Sequence, residues 1–196
     1  MHTIVGITGG IGCGKSTAAR FLEGKGFHRL DSDELVRKQV LTSAPVVSAL
    51  RERFGEDVVN RDGVVNRTQL AARVFPEESE LRWLEELTHP MIFELWREAF
   101  RTGQAVDWVV EVPLLFEKSL EIWFDFTVCV ASAPAQQLAR LEQRGLSRAL
   151  AGQRISKQLP LAQKIEWADF VLWNDGSPEF LQEQVSRLNV SLQATR

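Results

Sequence analysis

The segment Gly9-Gly10-Ile11-Gly12-Cys13-Gly14-Lys15-Ser16-Thr17 fits the pattern G-x-x-x-x-G-K-[ST] without a mismatch. An apolar run rich in β-branched residues precedes it at 3–8, and a segment that can form an amphipathic helix follows it at 16–24. Glycines let the backbone turn its N–H groups toward an anion, and the start of a helix adds partial positive charge. Strand, loop and helix in this order predict a phosphate-binding loop in an α/β fold.

The chemistry expected of this loop is the binding of a nucleotide and its metal ion. Lys15 would reach the β- and γ-phosphates of ATP, the Ser16 hydroxyl would hold Mg²⁺, and the residues from Gly10 to Thr17 would line the phosphates. The alternative is a glycine-rich turn before a helix, which chance allows in roughly one chain in a hundred of this length. The flanking strand and helix make that coincidence rarer still.

Length and composition indicate an ordinary globular chain. It has 196 residues, of which 44% are hydrophobic and 25% charged, and its net charge of −3 argues against nucleic acid as the main partner. No apolar run approaches the ~20 residues of a membrane-spanning helix, and no signal peptide is visible. The two cysteines and three histidines show no metal-binding spacing. We therefore expect a cytoplasmic protein without a membrane partner that acts on a small molecule, as a monomer or homo-oligomer.

The fold class follows from the alternation of strand-like and helix-like segments. Apolar runs predict five strands, at 3–8, 27–31, 106–112, 125–131 and 168–173. Because the intervening segments have helical patterns, we expect a five-stranded parallel sheet covered by helices on both faces, a three-layer α/β/α fold of the P-loop NTPase type.

Two helix signals lie between these strands. The block at 77–100 is strongly helical but contains Pro90, which predicts a break or kink just after His89. Ser132 is a suitable N-cap for a helix that ends near Gly145.

The connection from the second strand to the third is longer than one crossover helix needs. In P-loop kinases, such an excess usually holds the second substrate. We therefore predict a single kinase domain with a helical acceptor region and a small helical lid. The predicted division is a core of 1–33, 104–137 and 166–196, an acceptor region of 34–103 and a lid of 138–165.

Two carboxylates and an arginine follow the second strand, in the stretch Asp31-Ser32-Asp33-Glu34-Leu35-Val36-Arg37. Ligands collect at the carboxyl ends of strands in such sheets. A carboxylate there can accept a proton from an attacking hydroxyl or hold a Mg²⁺-bound water, and Arg37 can bind an anion. The alternative is that Asp33 or Ser32 only caps a helix and Arg37 is a surface charge. Beside a phosphate loop, we favour the functional interpretation.

A cationic segment lies in the predicted lid. Between 138 and 164 there are six Lys or Arg against one acid, Glu142; the cations are Arg140, Arg144, Arg148, Arg154, Lys157 and Lys164. A lid that closes over ATP needs cations where charge develops on the transferring phosphoryl group. We expect Arg140 and Arg144 to face ATP. The alternative is a pair of solvated helices with ordinary surface charges.

The third strand runs into Glu111-Val112-Pro113-Leu114-Leu115-Phe116-Glu117. An apolar strand that ends in an acid suggests a Walker B site, but the usual Asp is missing, so no metal ligand is assigned here. Pro113 to Phe116 could form an apolar wall near the acceptor, with Pro113 and Leu114 against the substrate. A strand end with a buried turn is an equally good alternative.

Together these motifs resemble one family, the dephospho-coenzyme A kinases. The resemblance covers nearly the whole chain in family order: T-G-G-I-G-x-G-K-S-T, D-x-D-x-x-x-R, Leu87-Thr88-His89-Pro90, V-P-L-L-x-E, Arg140 to Arg144, and Asn174-Asp175-Gly176. The phosphate loop alone is shared by many NTPases, whereas the combination is far more specific.

The resemblance implies roles for individual residues. Asp33 matches the family's catalytic base, Arg37 its arginine at the acceptor site, and Lys15 its phosphate-binding lysine. Arg140 and Arg144 match arginines near ATP, where Arg140 would assist catalysis. Asn174 and Gly176 lie where adenine is expected, and His89 falls in the substrate region without a chemical role of its own.

The function implied is ATP-dependent phosphorylation of the ribose 3′-hydroxyl of dephospho-CoA, with ATP and Mg²⁺ as cofactors. The nearest alternative is a small-molecule P-loop kinase that acts on a nucleoside or nucleoside monophosphate. A GTP-binding switch would want N-K-x-D and D-x-x-G strings, and neither occurs in this chain. In a plain ATP-binding regulator, an acidic base beside the loop would have no purpose.

Overall fold

A computed structural model describes residues 2–102 and 106–195 of the chain. Its strands are β1 (Ile4–Gly9), β2 (His28–Asp31), β3 (Trp108–Glu111), β4 (Phe126–Ala131) and β5 (Phe170–Trp173). They form one sheet in the order β2-β3-β1-β4-β5, and every pairing is parallel. The predicted five-stranded parallel sheet is confirmed.

Helices occupy most of the remaining chain. They are α1 (Lys15–Glu23), α2 (Ser32–Leu35), α3 (Ala44–Phe54), α4 (Arg67–Val74), α5 (Glu78–Thr102), α6 (Pro134–Gln143), α7 (Arg148–Ser156), α8 (Leu161–Trp167) and α9 (Pro178–Ala194). A π-helical turn, Val36–Val40, continues α2, and a 3₁₀ turn covers Glu121–Trp123. The main core lies between β1, β4, α1 and α9, where Ile7, Leu22, Val130 and Leu181 are buried. The strand β1 is central and has a parallel neighbour on each edge, β3 and β4.

The chain divides into two compact units. The helical unit is Ser32–Thr102, and the core unit contains the described residues 2–31 and 106–195. In the helical unit, α4 and the π-helical turn both pack on α5. The predicted acceptor region of 34–103 begins two residues inside the helical unit. The predicted boundary between 103 and 104, and the outer limits at 1 and 196, lie outside the described residues.

Of the predicted break or kink after His89, the break is wrong, because α5 continues through Pro90 from Glu78 to Thr102. Proline has no N–H to donate to the carbonyl four residues earlier, which normally disfavours a helix interior. Here α5 buries Thr88, Ile92 and Trp96 on both sides of the proline. We attribute the continuity of the helix to this packing, which outweighs one lost hydrogen bond.

The predicted N-cap role of Ser132 is also wrong. Helix α6 begins at Pro134 after Ala133, and no side chain caps it. The Ser132 hydroxyl instead donates to the Asn174 carbonyl oxygen at 3.0 Å, in the buried space between β4 and β5. A long-range partner has therefore replaced the local one that the sequence pattern predicted.

Candidate active site

The phosphate loop connects β1 to α1, and its glycines are required by the backbone. Gly9, Gly12 and Gly14 have φ angles of +138°, +81° and +96°, which side chains other than glycine rarely adopt. A Cβ atom on Gly9 would collide with the Val130 carbonyl oxygen, and one on Gly14 with the Asn174 side chain. The loop therefore lies directly against β4 and the end of β5.

Three polar side chains hold this loop through its peptide groups. The Asn174 amide donates to the Cys13 carbonyl oxygen at 2.8 Å. Gln137 donates to the Ile11 carbonyl oxygen at 2.9 Å, while the Gln158 side-chain oxygen accepts from the Ile11 N–H at 2.8 Å. The loop conformation is thus maintained by α6, by the end of β5 and by the segment after α7.

Arg140 is part of the same support. Its guanidinium donates to the Asn174 carbonyl oxygen at 2.7 Å, to the Ser132 hydroxyl at 3.0 Å and to the Gly12 carbonyl oxygen at 3.4 Å. Arg140 therefore touches the phosphate loop, and its hydrogen bonds go to protein oxygens. Arg144, just after α6, is exposed.

Lys15 lies at the start of α1 and folds back over the loop. Its ammonium donates to the carbonyl oxygens of Gly9 and Gly10, at 3.1 Å each. The Cys13 side chain is fully buried below the loop; burial raises the pKa of its thiol, although the nearby Lys15 charge opposes this. Cys13 is therefore a neutral space-filling residue, while the only cation within the loop is Lys15.

A chain of three polar residues begins at Ser16. The Ser16 hydroxyl donates to one carboxylate oxygen of Glu111 at 2.6 Å, and Arg29 donates to the other at 2.6 Å. Arg29 also lies 3.7 Å from the Asp31 carboxylate. Burial tends to lower the pKa of Arg29, but the hydrogen bond and the charge of Glu111 outweigh it and raise the pKa. Because the Ser16 hydroxyl donates a hydrogen bond to Glu111, the lone pairs of the Ser16 oxygen remain available to a metal ion.

Glu111 is the residue that the sequence pattern left without a role. It ends β3 and is only 4% exposed, yet its carboxylate touches the residue expected to bind Mg²⁺. The sequence signal for this residue is an acid at a strand end, although the Walker B pattern has Asp rather than Glu at that place. A serine hydroxyl and a carboxylate are hard oxygen ligands of the kind Mg²⁺ prefers.

No dedicated metal cluster was found in the described part of the chain. Within 2–102 and 106–195, no group of three or more His, Cys, Asp or Glu side chains could hold a metal ion. Mg²⁺ usually keeps several waters and binds through one or two protein ligands plus substrate phosphates. The pair of Ser16 and Glu111 fits that pattern.

The segment after β3 is fixed by a buried ion pair. The Lys164 ammonium lies 2.6 Å from the Glu117 carboxylate and donates to the Pro113 carbonyl oxygen at 3.0 Å. Lys164 is fully buried, so its inclusion among the cations of a lid is wrong. Leu114 is 39% exposed, as an apolar contact residue for a substrate needs to be.

In the helical unit, Asp33 and Arg37 lie one turn apart. Asp33 is exposed in the first turn of α2, and Arg37 is exposed on the π-helical turn. The Ser32 hydroxyl is buried and has no hydrogen-bond partner within the described residues, so the alternative in which Ser32 caps α2 is not supported. His89 lies in the interior of α5 with its ring 5.6 Å from that of Phe93.

The remaining predicted nucleotide residues follow β5. Asn174 is buried beneath the loop, whereas Asp175 accepts from the Ala133 N–H at 2.6 Å and Gly176 is exposed. A Cβ atom on Gly176 would lie 2.9 Å from the Phe180 ring, which is half exposed and would have to shift to make room. The core unit therefore brings together the loop, Arg140 and the residues after β5.

Among the described residues, no helix has both the length and the apolar character needed to span a bilayer.

Comparisons with known proteins agree on one family. The family model described as dephospho-CoA kinase matches residues 3–179. A dephospho-CoA kinase of Thermosynechococcus vestitus is 43% identical over 185 residues, which cover 93% of this chain and 91% of the relative. The crystal structure of TT1252 from Thermus thermophilus is 35% identical, with a TM-score of 0.86 over 97% of this chain and 98% of that one. The dephospho-CoA kinase of Campylobacter jejuni, at 24% identity, shares the fold with a TM-score of 0.72 and 98% coverage of both chains.

Proposed function

The chain belongs to the dephospho-CoA kinase family, and from this membership we propose its reaction in full. The enzyme transfers the γ-phosphoryl group of ATP to the ribose 3′-hydroxyl of dephospho-CoA, giving coenzyme A and ADP. The observation that carries this assignment is the family match over 3–179, which includes the phosphate loop, the Asp33–Arg37 turn and the segment after β3. A nucleoside or nucleoside monophosphate kinase is not favoured.

The core unit supplies the nucleotide site in this proposal. Lys15 and the loop N–H groups bind the phosphates of ATP, and Arg140 and Arg144 add positive charge near them. Ser16 and Glu111 would hold Mg²⁺, and the ion would supply positive charge to the phosphates of ATP. The contact of 2.6 Å between Ser16 and Glu111 supports this assignment. Gly176 and the main chain around it border the adenine.

The helical unit supplies the acceptor site. Asp33 accepts the proton of the 3′-hydroxyl as that oxygen attacks, and Arg37 binds an anionic group of the same substrate. The exposure of both side chains supports these roles. Pro113 and Leu114 would contact the substrate from the core unit, and His89 shapes the acceptor region. Phosphoryl transfer needs little covalent chemistry from the protein, so positioning and charge stabilisation supply most of the rate.

The decisive experiment is an ADP-release assay that compares dephospho-CoA with adenosine, other nucleosides and AMP as acceptors. We expect dephospho-CoA to be used far better than any other acceptor. Lys15→Ala should lower the rate by about 10²–10³ because it removes a preorganised charge. Lys25→Ala, an exposed lysine after α1, is the matched control and should leave the rate unchanged. Preference for a nucleoside monophosphate would reject the proposed acceptor.

The proposals for partner and location rest on family membership alone. The family is one of metabolic enzymes, so we place the protein in the cytoplasm with a small molecule as its partner and no role for nucleic acid. It would act as a monomer or a homo-oligomer.

A further inference from the structure

We propose that a cavity within the helical unit binds the 5′-diphosphate of dephospho-CoA between Arg37 and Arg67. This inference rests on the proposed function, because it identifies which part of that acceptor the helical unit recognises. The cavity has a volume of about 550 Å³. The π-helical turn and the two residues after it line one part of it, and Gly63, Val64 and Val65 with the start of α4 line another.

All charged side chains that line this cavity are positive. Arg37, Lys38 and Arg67 line it, and none of its lining residues is acidic. Lys38 already pairs with Glu34 at 2.5 Å. Neither Arg37 nor Arg67 makes a hydrogen bond or an ion pair within 2–102 and 106–195. Two guanidinium groups that line one cavity without acidic partners make it a binding place for an anion.

Other arginines of the helical unit do form ion pairs with carboxylates. Arg53 is bound to Glu80 at 2.6 Å, Arg73 to Asp57 at 3.3 Å and Arg82 to Glu78 at 3.0 Å. The lack of partners is therefore not a general property of arginines in this unit.

The position of Arg67 strengthens the argument. It is the first residue of α4, whose N-cap Asn66 accepts from the Gln69 N–H. The start of a helix carries partial positive charge, so a cation at this position is unfavourable unless an anion is present. A diphosphate would be attracted by Arg67 and by the helix terminus together. Without such a ligand, a neutral or acidic residue at the first position of α4 would stabilise the helix more than an arginine does.

The spacing along the chain fits the geometry of a nucleotide. Asp33 and Arg37 are four residues apart, and α-helical geometry at this spacing separates Cβ atoms by about 5–6 Å. The 3′-hydroxyl and the 5′-phosphate of one ribose are separated by a similar length. A substrate whose 3′-hydroxyl lies at Asp33 therefore brings its diphosphate to Arg37. The π-helical turn that carries Arg37 is a rare element that is frequent at functional sites.

Most of the remaining surface of the cavity is apolar, and the Thr42 hydroxyl there donates to the Lys38 carbonyl oxygen, so this surface suits the pantetheine arm of the substrate. Leu41, Val64 and Val65 contribute this surface, and Val64 is 61% exposed although it is a large hydrophobic residue. In dephospho-CoA, the diphosphate is joined to the pantetheine arm, whose carbon chain can cover such a surface. Adenosine has neither the diphosphate nor this arm.

The test compares Arg67→Gln and Arg37→Gln with Arg73→Gln, an exposed arginine at the other end of α4. Dephospho-CoA binding to the full chain is measured by calorimetry without ATP, and kinetics are measured with ATP. We expect Arg67→Gln and Arg37→Gln to weaken dephospho-CoA binding by about 10- to 100-fold, the scale for losing a hydrogen bond to a charged group. Adenosine binding and the KM for ATP should change less than twofold, and Arg73→Gln should resemble the parent.

The proposal is overturned if Arg67→Gln binds dephospho-CoA as tightly as Arg73→Gln does. It is also overturned if adenosine binding weakens as much as dephospho-CoA binding, because the effect would then not involve the diphosphate. Failure of the proposed function would look different: the parent would bind dephospho-CoA without phosphorylating it. The binding comparison would still decide whether the cavity recognises a diphosphate.

Discussion

At the residue scale, several side chains near the phosphate loop bind its carbonyl groups rather than a ligand. Asn174, Gln137 and Arg140 donate to the carbonyl oxygens of Cys13, Ile11 and Gly12. A loop that turns its N–H groups toward phosphate must turn its carbonyls toward the protein, and buried carbonyls need donors. The same polar residue types would have suited contact with ATP, and only the structure distinguishes the two uses.

The first prediction concerns Asp33. Asp33→Asn should bind ATP normally, because Lys15 and the loop are unchanged, but should lose phosphoryl transfer by about 10²–10⁴-fold, the usual scale for general-base catalysis. Asparagine caps helices as well as aspartate does, so an Asp33 that only capped α2 would give nearly full activity. Steady-state transfer rates, with ATP binding measured separately, distinguish the two roles. Glu52→Gln, an exposed change on α3, is the control.

The second prediction concerns Glu111. Glu111→Gln keeps the shape of the side chain but removes the charge that faces Ser16 and Arg29. We expect the Mg²⁺ concentration for half-maximal rate to rise several-fold at saturating ATP. The free energy of unfolding should fall by about 1–3 kcal/mol, because Arg29 loses an ionic hydrogen bond. An unchanged Mg²⁺ dependence would remove Glu111 from the metal site.

At the element scale, the buried pair of Lys164 and Glu117 joins α8 to the segment after β3. Lys164→Met should lower the free energy of unfolding by about 3 kcal/mol, because it leaves a partly buried carboxylate without its cation. The double change Lys164→Met with Glu117→Leu should recover most of this loss, since an apolar pair needs no charge compensation. Urea unfolding measures both variants. Equal stability of the single and double variants would contradict the coupling.

The lid remains a prediction, and proteolysis can test it. Arg148, Arg154 and Lys157 are exposed trypsin sites in or just after α7, and Gln158 contacts the phosphate loop at Ile11. If the segment closes over ATP, a non-hydrolysable ATP analogue should slow cleavage at these sites several-fold. Cleavage at Arg82, in the helical unit, serves as an internal reference. The same cleavage pattern with and without the analogue would argue against a closing lid.

At the scale of the whole molecule, stability should fall in alkaline solution because of a thiol. Burial, followed by the neighbouring Cys13 thiol, raises the pKa of Cys129 to about 12. The unfolded chain releases this proton near pH 8.5, so above that pH the folded state binds more protons and stability falls as pH rises. Between pH 9 and 10.5, Cys129→Ala should show a shallower decline, by up to about 1.4 kcal/mol per pH unit. Urea unfolding at several pH values measures the slope, and the chain has no tyrosine to titrate in this window.

Sequence patterns identified the features that depend on local chemistry. The phosphate loop and the five strands follow from glycine spacing and β-branched runs, and both are present. The errors were at positions that long-range packing decides: α5 continues through Pro90, and Ser132 binds Asn174. The burial of Lys164 likewise depends on Glu117, a residue 47 positions away that no periodicity connects to it.

The sequence likewise predicted the parts of the site that belong to one motif and not the contacts between distant residues. Ser16 and Lys15 follow from the motif, whereas the contact between Ser16 and Glu111 joins residues 95 positions apart. The cavity lined by Arg37 and Arg67 also depends on tertiary structure, because α4 and the π-helical turn are separated by α3. A pattern shows which residue types are present, and the fold decides which of them meet.

The central position of β1 also affects how the protein is made. Ile4 pairs with Trp108 and Val5 with Phe126, so β1 has no partner in this sheet until about a hundred further residues have been synthesised. At about 5–20 residues per second, that wait lasts several seconds or longer. During it, an apolar strand with two unpaired edges is exposed in the cell, where it can pair with other chains. The central position of β1, which places the phosphate loop between β3 and β4, therefore also exposes the nascent chain to mispairing.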